Sequence, residues 1–274
     1  MKKQADYIKR IEIRGIWGRK NISWNLRPDV NILSGINGIG KSTILNSSIK
    51  SLNELDDKDL MDGLKNHVTF EFYPSDATYI PFDVVRSFDR PLIDNAILKK
   101  IESQNVKTEL DWQLYQLQRR YLDYQVNIGN RIIELLTSGK PEDQIRAAEV
   151  SLPKTKFQNL IDELFRETEK KIIRKSNEIE FEQVGEVLSP YQLSSGEKQI
   201  LVILLTVLVQ DNQHCSLFMD EPEISLHVEW QQKLINLIRS LNPNVQIILT
   251  THSPAVIMNG WIDAVTEVTD ITIK

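Results

Sequence analysis

Short apolar runs and amphipathic stretches alternate in two parts of the chain. The runs lie at residues 30–34, 216–219 and 245–249, and each has the length and composition of a buried strand. Apolar residues at helical spacing follow the first run and recur at 230–241, between the other two. Strands that alternate with helices predict a mostly parallel sheet with helices packed on it. We therefore expect an α/β fold with a parallel sheet core.

The N-terminal part adds strands of another kind. Residues 67–73 alternate apolar and polar side chains, and Ile8, Ile11 and Ile13 mark a further strand before a glycine. Alternation with a period of two is typical of a sheet that has one face in the core, and such sheets are commonly antiparallel. An N-terminal antiparallel β part is therefore expected beside the parallel sheet.

The middle of the chain follows a helical period. Large apolar or aromatic residues step by 4, 3, 4, 3 and 4 positions from Leu110 to Ile128, which predicts one long helix over 108–137. Such a helix would be about 45 Å long at about 1.5 Å per residue. Glycine and proline at 138–141 end it, and a second apolar stripe follows Pro153. Two helices joined by a broken segment predict an antiparallel helical arm.

This inserted helical arm is expected to occupy residues 90–180 and to interrupt a single α/β domain made of residues 1–89 and 181–274. Basic and acidic side chains nearly balance along the arm. Two interpretations of the arm stay open. It is either a packed helical subdomain with a solvated face or an arm that contacts a partner or DNA.

The composition restricts the class of protein. The chain has 274 residues, of which 41% are apolar, so it is long enough for a buried core. Its longest apolar stretch, 200–209, is too short for a membrane span, and no apolar block follows the charged first residues. The single Cys215 forms no intrachain disulfide. We expect a cytoplasmic protein without a membrane partner. The net charge of −5 argues against a basic coat and leaves a local DNA-binding patch open.

A glycine-rich loop connects the first apolar run to its helix. Residues 35–43 read GINGIGKST and fit the pattern G-x-x-x-x-G-K-[ST]. Glycines let the backbone N–H groups surround phosphate oxygens, Lys41 supplies a cation, Ser42 offers a hydroxyl to Mg²⁺, and the helix start is electropositive. The loop therefore predicts a site for ATP and Mg²⁺. Its predicted ATP-binding residues are Asn37, Gly38, Gly40, Lys41, Ser42 and Thr43.

Two adjacent carboxylates, Asp220 and Glu221, end the buried strand at 216–219. Ligands bind at the carboxyl ends of strands in open α/β sheets. We expect Asp220 to face Ser42 across Mg²⁺, because this ion prefers carboxylate and hydroxyl oxygens. Glu221 can then polarise a water for attack on the γ-phosphate. The predicted metal ligands are thus Ser42 and Asp220, and the predicted catalytic base is Glu221.

Residues 193–199, LSSGEKQ, precede a helix that is apolar nearly all round. Ser194 and Glu197 have the spacing of a capping box, which by itself explains both residues. A second interpretation is that the small residues Ser195 and Gly196 form an anion site at the helix N-terminus, suited to a γ-phosphate. Because the chain's own phosphates would lie on its loop, such a site would serve another copy.

Taken in order, four segments resemble the motifs of ABC-type ATPase heads of the SMC, Rad50 and RecF kind. They are GINGIGKST at 35–43, LSSGEKQ at 193–199, LFMDEPEISLH at 217–227 and TTHSP at 250–254. LSSGEKQ resembles the signature motif LSGGQ, with Ser195 in place of a glycine and Glu197 in place of the glutamine. The set is especially similar to the bacterial AAA-family ATPases of the OLD and phage-defence type.

The resemblance implies that two copies of the chain each contribute residues to one ATP site. In that family two heads hold ATP between them, and the signature of each completes the site of the other. His252 matches the histidine that senses the γ-phosphate, Glu221 matches the base, and residues 224–227 match the D-loop. The residues implied to contact nucleotide in the other subunit are Ser194, Ser195, Gly196 and Glu197.

Some features of the family are missing or altered. Residues 86–89 are our substitute for its glutamine loop, and no aromatic residue is assigned to stack on adenine, since Trp17 and Trp24 are expected in the core. The chain ends soon after His252, so no OLD-type nuclease domain is expected, and the arm is too short for an SMC coiled coil.

These features predict a Mg²⁺-dependent ATPase, slow or gated by a partner, that forms a homodimer or a higher oligomer around ATP. No second catalytic constellation is apparent, so its cycle is expected to move subunits. The resemblance implies that it regulates a separate effector, such as a nuclease or toxin, in anti-phage defence. The alternative is a DNA-binding SMC- or RecF-like ATPase in DNA repair or chromosome maintenance. A membrane-transporter subunit is disfavoured by the unclear glutamine loop.

Overall fold

The computed structural model describes residues 2–56, 67–87, 91 and 105–273. Its strands are β1 (Tyr7–Ile16), β2 (Lys20–Asn25), β3 (Val30–Ser34), β4 (His67–Tyr73), β5 (Phe82–Arg86), β6 (Lys171–Ile172), β7 (Phe181–Gln183), β8 (Glu186–Leu188), β9 (Cys215–Asp220), β10 (Val245–Thr250), β11 (Val265–Glu267) and β12 (Thr272–Ile273). Its α-helices are α1 (Lys41–Asp56), α2 (Glu109–Thr137), α3 (Pro141–Leu164), α4 (Ser195–Val209), α5 (Val228–Leu241) and α6 (Pro254–Met258).

The chain divides into two compact units. The first contains Met1–Ser87, Asn212–Arg239 and Pro243–Lys274, and the second contains Phe88–Asp211 and Ser240–Asn242. The second unit therefore includes helix α4, which follows the predicted arm in the sequence. The domain limits that we expect from the sequence stay a prediction.

The first unit contains two sheets. One has the strand order β11-β3-β10-β9-β5, and all its neighbouring strands are parallel. The other has the order β12-β2-β1-β4 and is antiparallel. Strand β10 is buried over its whole length, as expected of a parallel strand covered on both faces. The predicted α/β fold, with a parallel core and an N-terminal antiparallel part, is confirmed.

One apolar core joins the two sheets to helix α1. It includes Trp24 of β2, Ile44 of α1 and Phe218 of β9. Within the first unit, the buried Gln246 on β10 binds both backbone groups of Ile8 on β1. Its Oε1 accepts from the Ile8 N–H at 2.9 Å, and its Nε2 donates to the Ile8 carbonyl at 2.8 Å. This amide connects the parallel sheet to the antiparallel one and satisfies its own polar groups in the core.

The second unit begins with the long helix that the sequence predicts. Thr108 caps α2, because its hydroxyl accepts from the Asp111 N–H while the Asp111 carboxylate accepts from the Thr108 N–H. The apolar stripe from Leu110 to Ile128 is buried. The predicted helix over 108–137 is confirmed.

Helix α3 starts earlier than the apolar stripe behind Pro153 suggests. It begins at Pro141, where proline is favoured in the first turn, and it continues through Pro153. A proline inside a helix removes one backbone hydrogen bond, and burial of Phe157 and Ile161 in the following turns offsets this cost. The strands β6, β7 and β8 form a small antiparallel sheet, and α4 is buried almost all round, as predicted.

Candidate functional site

The glycine-rich loop lies between β3 and α1 in the first unit. Gly35, Gly38 and Gly40 have φ values of 147°, 78° and 104°, which L side chains rarely adopt. A Cβ atom added at Gly40 would come within 1.9 Å of the Trp17 ring. Asn37 and Gly38 are exposed at the tip of the loop. Glycine is therefore required here both by the backbone conformation and, at Gly40, by a close neighbour.

Lys41 is the first residue of α1, and its side chain turns back into the loop. Its Nζ donates to the carbonyls of Gly35 and Ile36 at 3.0 and 3.3 Å and lies 2.6 Å from Nε2 of His252. The residue is 4% exposed. Burial lowers the pKa of Lys41, against the opposing effect of the Glu221 and Asp220 carboxylates. A cation is thus held inside a loop whose shape suits an anion.

Ser42 and Asp220 meet where β9 ends. The Ser42 hydroxyl donates to Asp220 Oδ1 at 3.0 Å, and the hydroxyl of Thr250, the register partner of Asp220 on β10, donates to the same oxygen. A hydroxyl and a carboxylate oxygen at this spacing fit Mg²⁺, which takes few protein ligands and completes its shell with phosphate and water oxygens. Over the residues that the structure covers, no group of three or more His, Cys, Asp or Glu side chains could hold a metal.

Glu221 occupies a strained position directly after β9. Its φ is 47°, in the left-handed region that non-glycine residues seldom adopt. The backbone N–H of Glu221 is held by the carbonyl and the hydroxyl of Thr250, each at 3.1 Å. Its Oε1 lies 3.1 Å from Nε2 of His252. Such backbone strain persists only where the surroundings fix it, and it is common at functional sites.

The structure brings five of the predicted site residues together. These residues come from the loop, α1, the end of β9 and the turn after β10. His252 contacts both Lys41 and Glu221, and Ser42 contacts Asp220. The Thr250 hydroxyl joins the two groups, because it donates to Asp220 Oδ1 and accepts from the Glu221 N–H. His252 stands between the loop cation and the carboxylate that follows β9. The roles of these residues in nucleotide binding and hydrolysis stay predictions.

Three other predicted positions lie nearby. Thr43 is exposed on the first turn of α1. In the predicted D-loop, Leu226 is 6% exposed while Ile224 is 49% exposed. Of the substitute glutamine loop at 86–89, Arg86 ends β5 beside Asp220, whereas 88 and 89 lie outside the described residues.

Trp17 is a candidate site residue that the sequence reasoning missed. Trp24 is 1% exposed and belongs to the core, as expected, but Trp17 is 44% exposed, so its predicted core position is wrong. It has a φ of 54° in the turn between β1 and β2, and its ring lies against Gly40. Its position between Gly15 and Gly18 was a usable signal, because a tight turn with two glycines is a poor place for a core residue.

The signature residues start α4 in the second unit. Ser194 is the N-cap and forms the predicted capping box with Glu197. The Glu197 carboxylate also accepts from Lys170 at 2.8 and 3.0 Å and from the Thr168 hydroxyl at 2.8 Å. Burial alone would raise the pKa of Glu197, but these bonds and those from Ser194 outweigh it and lower the pKa. Ser195 is exposed. The capping explanation therefore holds for Ser194 and Glu197.

No helix in the described ranges is long and apolar enough to cross a membrane.

Sequence comparison relates the chain to a Septu protein and to two retron probable ATPases. It is 25% identical to Septu protein PtuA of Bacillus thuringiensis over 93% of this chain and 74% of that protein. It is 31% identical to the retron Vc95 probable ATPase of Vibrio cholerae over 27% of this chain and 16% of that protein. It is 38% identical to the retron Ec83 probable ATPase of Escherichia coli over 25% of this chain and 15% of that protein.

Solved structures give the fold. An SMC head bound to the C-winged helix domain of ScpA has a TM-score of 0.51 at 14% identity, over 92% of this chain and 91% of that chain. An SMC head with an extended coiled coil, bound to the C-terminal domain of ScpA from Pyrococcus furiosus, has a TM-score of 0.50 at 14% identity, over the same shares of the two chains. The resemblance to ABC-type ATPase heads is confirmed at the level of the fold.

A family model described as "AAA domain, putative AbiEii toxin, Type IV TA system" matches residues 73–259. The match begins after the phosphate loop at residues 35–43, and that loop is identified by its own sequence motif. It spans more than half of the chain and includes Asp220, Glu221 and His252. The chain belongs to this AAA-domain family.

Proposed function

We propose that the chain binds ATP with Mg²⁺ between two copies of itself and hydrolyses it to control a separate effector protein in anti-phage defence. The observation that carries the proposal is the convergence of Lys41, Ser42, Asp220, Glu221 and His252 on one edge of the parallel sheet. This edge holds the carboxyl ends of β3, β9 and β10, where open α/β sheets bind ligands.

Each of these residues has a role that its contacts support. Lys41 exchanges the carbonyls of Gly35 and Ile36 for phosphate oxygens, which are stronger acceptors because they are charged. Ser42 and Asp220 hold Mg²⁺, which neutralises phosphate charge when it is bound. Glu221 accepts the proton of the attacking water, and His252, in contact with both Glu221 and Lys41, reports whether the γ-phosphate is present.

Trp17 extends the site beyond the phosphates. Its exposed ring stands against Gly40, next to the loop that would hold the triphosphate, and offers a flat face for the base. Stacking of a base on an aromatic side chain is worth about 1–3 kcal/mol. This assignment gives the base a partner that the sequence alone leaves open.

The start of α4 supports the proposed dimer. Ser194 and Glu197 are engaged in the capping box, and Glu197 is buried against Lys170. Ser195 is exposed beside the electropositive helix end, which suits an anion. We therefore assign the contact with nucleotide of the other copy to Ser195 and Gly196, and we assign to Ser194 and Glu197 the shape of the turn.

The role in defence rests on the relatives. Septu PtuA and the retron ATPases are proteins of defence systems, and the family description names a toxin–antitoxin system. In our proposal the ATP cycle changes the association of two heads, and this change is passed to an effector such as a nuclease or toxin.

The test combines Glu221→Gln with size measurements. This variant should bind ATP with Mg²⁺ but not hydrolyse it, and sedimentation velocity should show an ATP-dependent dimer. The matched control is the double variant Glu221→Gln/Ser195→Arg, which should bind ATP and stay monomeric because the arginine blocks the contact in the other copy. A monomer in both variants, with ATP bound, would overturn the sandwich. Failure of the wild type to bind ATP would overturn the site itself.

A further inference from the structure

Glu223 is a buried acid that the proposed mechanism does not use. It lies in the turn between β9 and α5, two residues after Glu221, and it is 6% exposed. Its carbonyl accepts from the Leu226 N–H at 2.9 Å, and the Glu221 carbonyl accepts from the Ile224 N–H at 3.3 Å. The backbone around Glu223 is therefore folded into a tight turn.

The Glu223 carboxyl group spans to the turn after β10. Its Oε1 accepts from the Thr251 hydroxyl and from the backbone N–H of His252, the latter at 3.2 Å. Its Oε2 is buried and has no hydrogen-bond partner among the described residues. All of the contacts thus reach one oxygen, which acts only as an acceptor. A carboxyl group is costly to bury, and only one oxygen of this one makes hydrogen bonds. The presence of an acid at this position therefore needs an explanation.

A second side chain makes a parallel connection. Gln231 on α5 donates to the carbonyls of Glu223 and Leu226 at 3.3 and 2.9 Å, and its Oε1 accepts from the Ser253 hydroxyl at 2.7 Å. The turn that carries Glu221 is thus joined at two points to the turn that carries His252. Between these two points, the His252 ring lies 3.1 Å from the Glu221 carboxylate.

We propose that Glu223 is a positioning residue for the hydrolysis of ATP, one that fixes the backbone of His252 and so keeps its imidazole against Glu221. This inference rests on the proposed ATPase function. It gives the turn after Glu221 a role in holding His252, separate from the roles of Asp220 and Glu221. Because Oε1 only accepts, a glutamine at this position can do the same work.

The experiment compares Glu223→Ala with Glu223→Gln in steady-state hydrolysis of ATP with Mg²⁺. Displacement of a catalytic group by about 1 Å costs about 10²-fold, so Glu223→Ala should lower kcat by about 10²-fold and leave KM within about threefold of the wild type. Glu223→Gln should keep kcat within about threefold. In a His252→Ala background, Glu223→Ala should lower kcat by less than about threefold further, because the group that it positions is gone.

Full additivity of the two alanine variants would overturn the inference, as would a glutamine variant as poor as the alanine one. Glu223→Asp serves if the alanine variant does not fold. It keeps a carboxyl group but withdraws it from the His252 N–H, so kcat should fall by about tenfold.

Amide hydrogen exchange of the 250–256 peptide gives a readout without turnover. Exchange at His252 should rise in Glu223→Ala and Glu223→Asp and stay at the wild-type level in Glu223→Gln. A wild-type protein that hydrolyses no ATP would refute the proposed function, and the exchange data would still decide whether Glu223 holds His252. Unchanged exchange in all three variants would overturn the positioning role.

Discussion

Nζ of Lys41 lies 2.6 Å from Nε2 of His252, so the cation of the phosphate loop contacts the histidine that follows β10. Nε2 of His252 also lies 3.1 Å from Oε1 of Glu221. An imidazole nitrogen either donates or accepts a hydrogen bond, so Nε2 can satisfy the ammonium or the carboxylate but not both. One proton on His252 therefore decides which of its two neighbours it binds.

This competition predicts that His252 acts in hydrolysis more than in binding. We expect His252→Ala to leave the Kd for ATP within about threefold, since Lys41 and the loop remain to hold the phosphates, and to lower kcat by about 10²-fold. Equilibrium titration and single-turnover assays separate the two effects. The exposed His214 provides the matched control, and His214→Ala should match the wild type. An unchanged kcat in His252→Ala would contradict the assignment.

Lys41→Ala tests the phosphate loop directly. The variant should raise the Kd for ATP by about 10²-fold, because a charge-assisted hydrogen bond is worth roughly 1.5–3 kcal/mol. Lys50→Ala, on the exposed face of the same helix, should leave the Kd unchanged. Fluorescence titration with a nucleotide analogue measures both. Equal Kd values for the two variants would rule out a phosphate contact by Lys41.

Gly40→Ala should lower the thermal stability of the protein for two reasons. Its φ of 104° disfavours any side chain, and the added Cβ would approach the Trp17 ring within 1.9 Å. The double variant Gly40→Ala/Trp17→Ala removes the steric conflict alone, so it should recover part of the thermal stability lost in Gly40→Ala. Gly129→Ala is the control, since its Cβ meets nothing within 4 Å in helix α2, and it should stabilise by about 0.5–1 kcal/mol. A thermal stability of Gly40→Ala equal to that of the wild type would exclude the close contact.

Lys170→Met should destabilise the second unit. It removes the partner of Glu197, whose carboxylate is 5% exposed, and breaking a buried ion pair costs about 3 kcal/mol or more. Adding Glu197→Gln should return part of this loss, because no unpaired charge then remains. Chemical unfolding measures both free energies, with the exposed neighbour Lys171→Met as control. A double variant less stable than Lys170→Met would show that the charge pair is not the cause.

Glu223 predicts a pH-dependent stability difference. Burial raises the pKa of Glu223 above its ordinary value of 4.5, although hydrogen bonds from Thr251 and from the His252 N–H lower it in part. A raised pKa contributes stability that is fully present below about pH 4.5 and is lost as the pH rises through the folded-state pKa. Glutamine has no proton to lose. The stability of Glu223→Gln relative to the wild type should therefore increase from pH 4.5 towards pH 8.

Thermal midpoints across this pH range test the prediction, with Glu229→Gln as the exposed control. The control should keep a constant difference from the wild type. A constant difference for Glu223→Gln as well would mean that its carboxyl titrates as it does in the unfolded chain.

Local motifs gave the parts of the site that lie within a few residues of each other. The loop pattern and the Asp220-Glu221 pair were predicted because a strand end and a helix start fix their geometry within one short segment. Their meeting across the sheet followed from the parallel topology, which brings strand ends to one edge.

The parts that were missed depend on distant neighbours. Trp17 contacts Gly40 only through the placement of the β1–β2 turn, and Glu223 meets Thr251 across 28 positions of sequence. Pro153 resembled a helix boundary because a proline is more often found at helix ends than inside them. In each case the deciding contact comes from tertiary packing, which periodicity does not record.

The buried amide of Gln246 has a consequence for which nucleotides the site retains. It joins β10, which leads to His252, to β1, which leads to Trp17, so the two ends of the proposed cleft are connected through one buried side chain. A ligand must reach from the indole to the imidazole to engage both. Under the proposed binding mode, a diphosphate lacks the phosphoryl group that contacts His252, so we expect the spent product to be held less tightly than ATP.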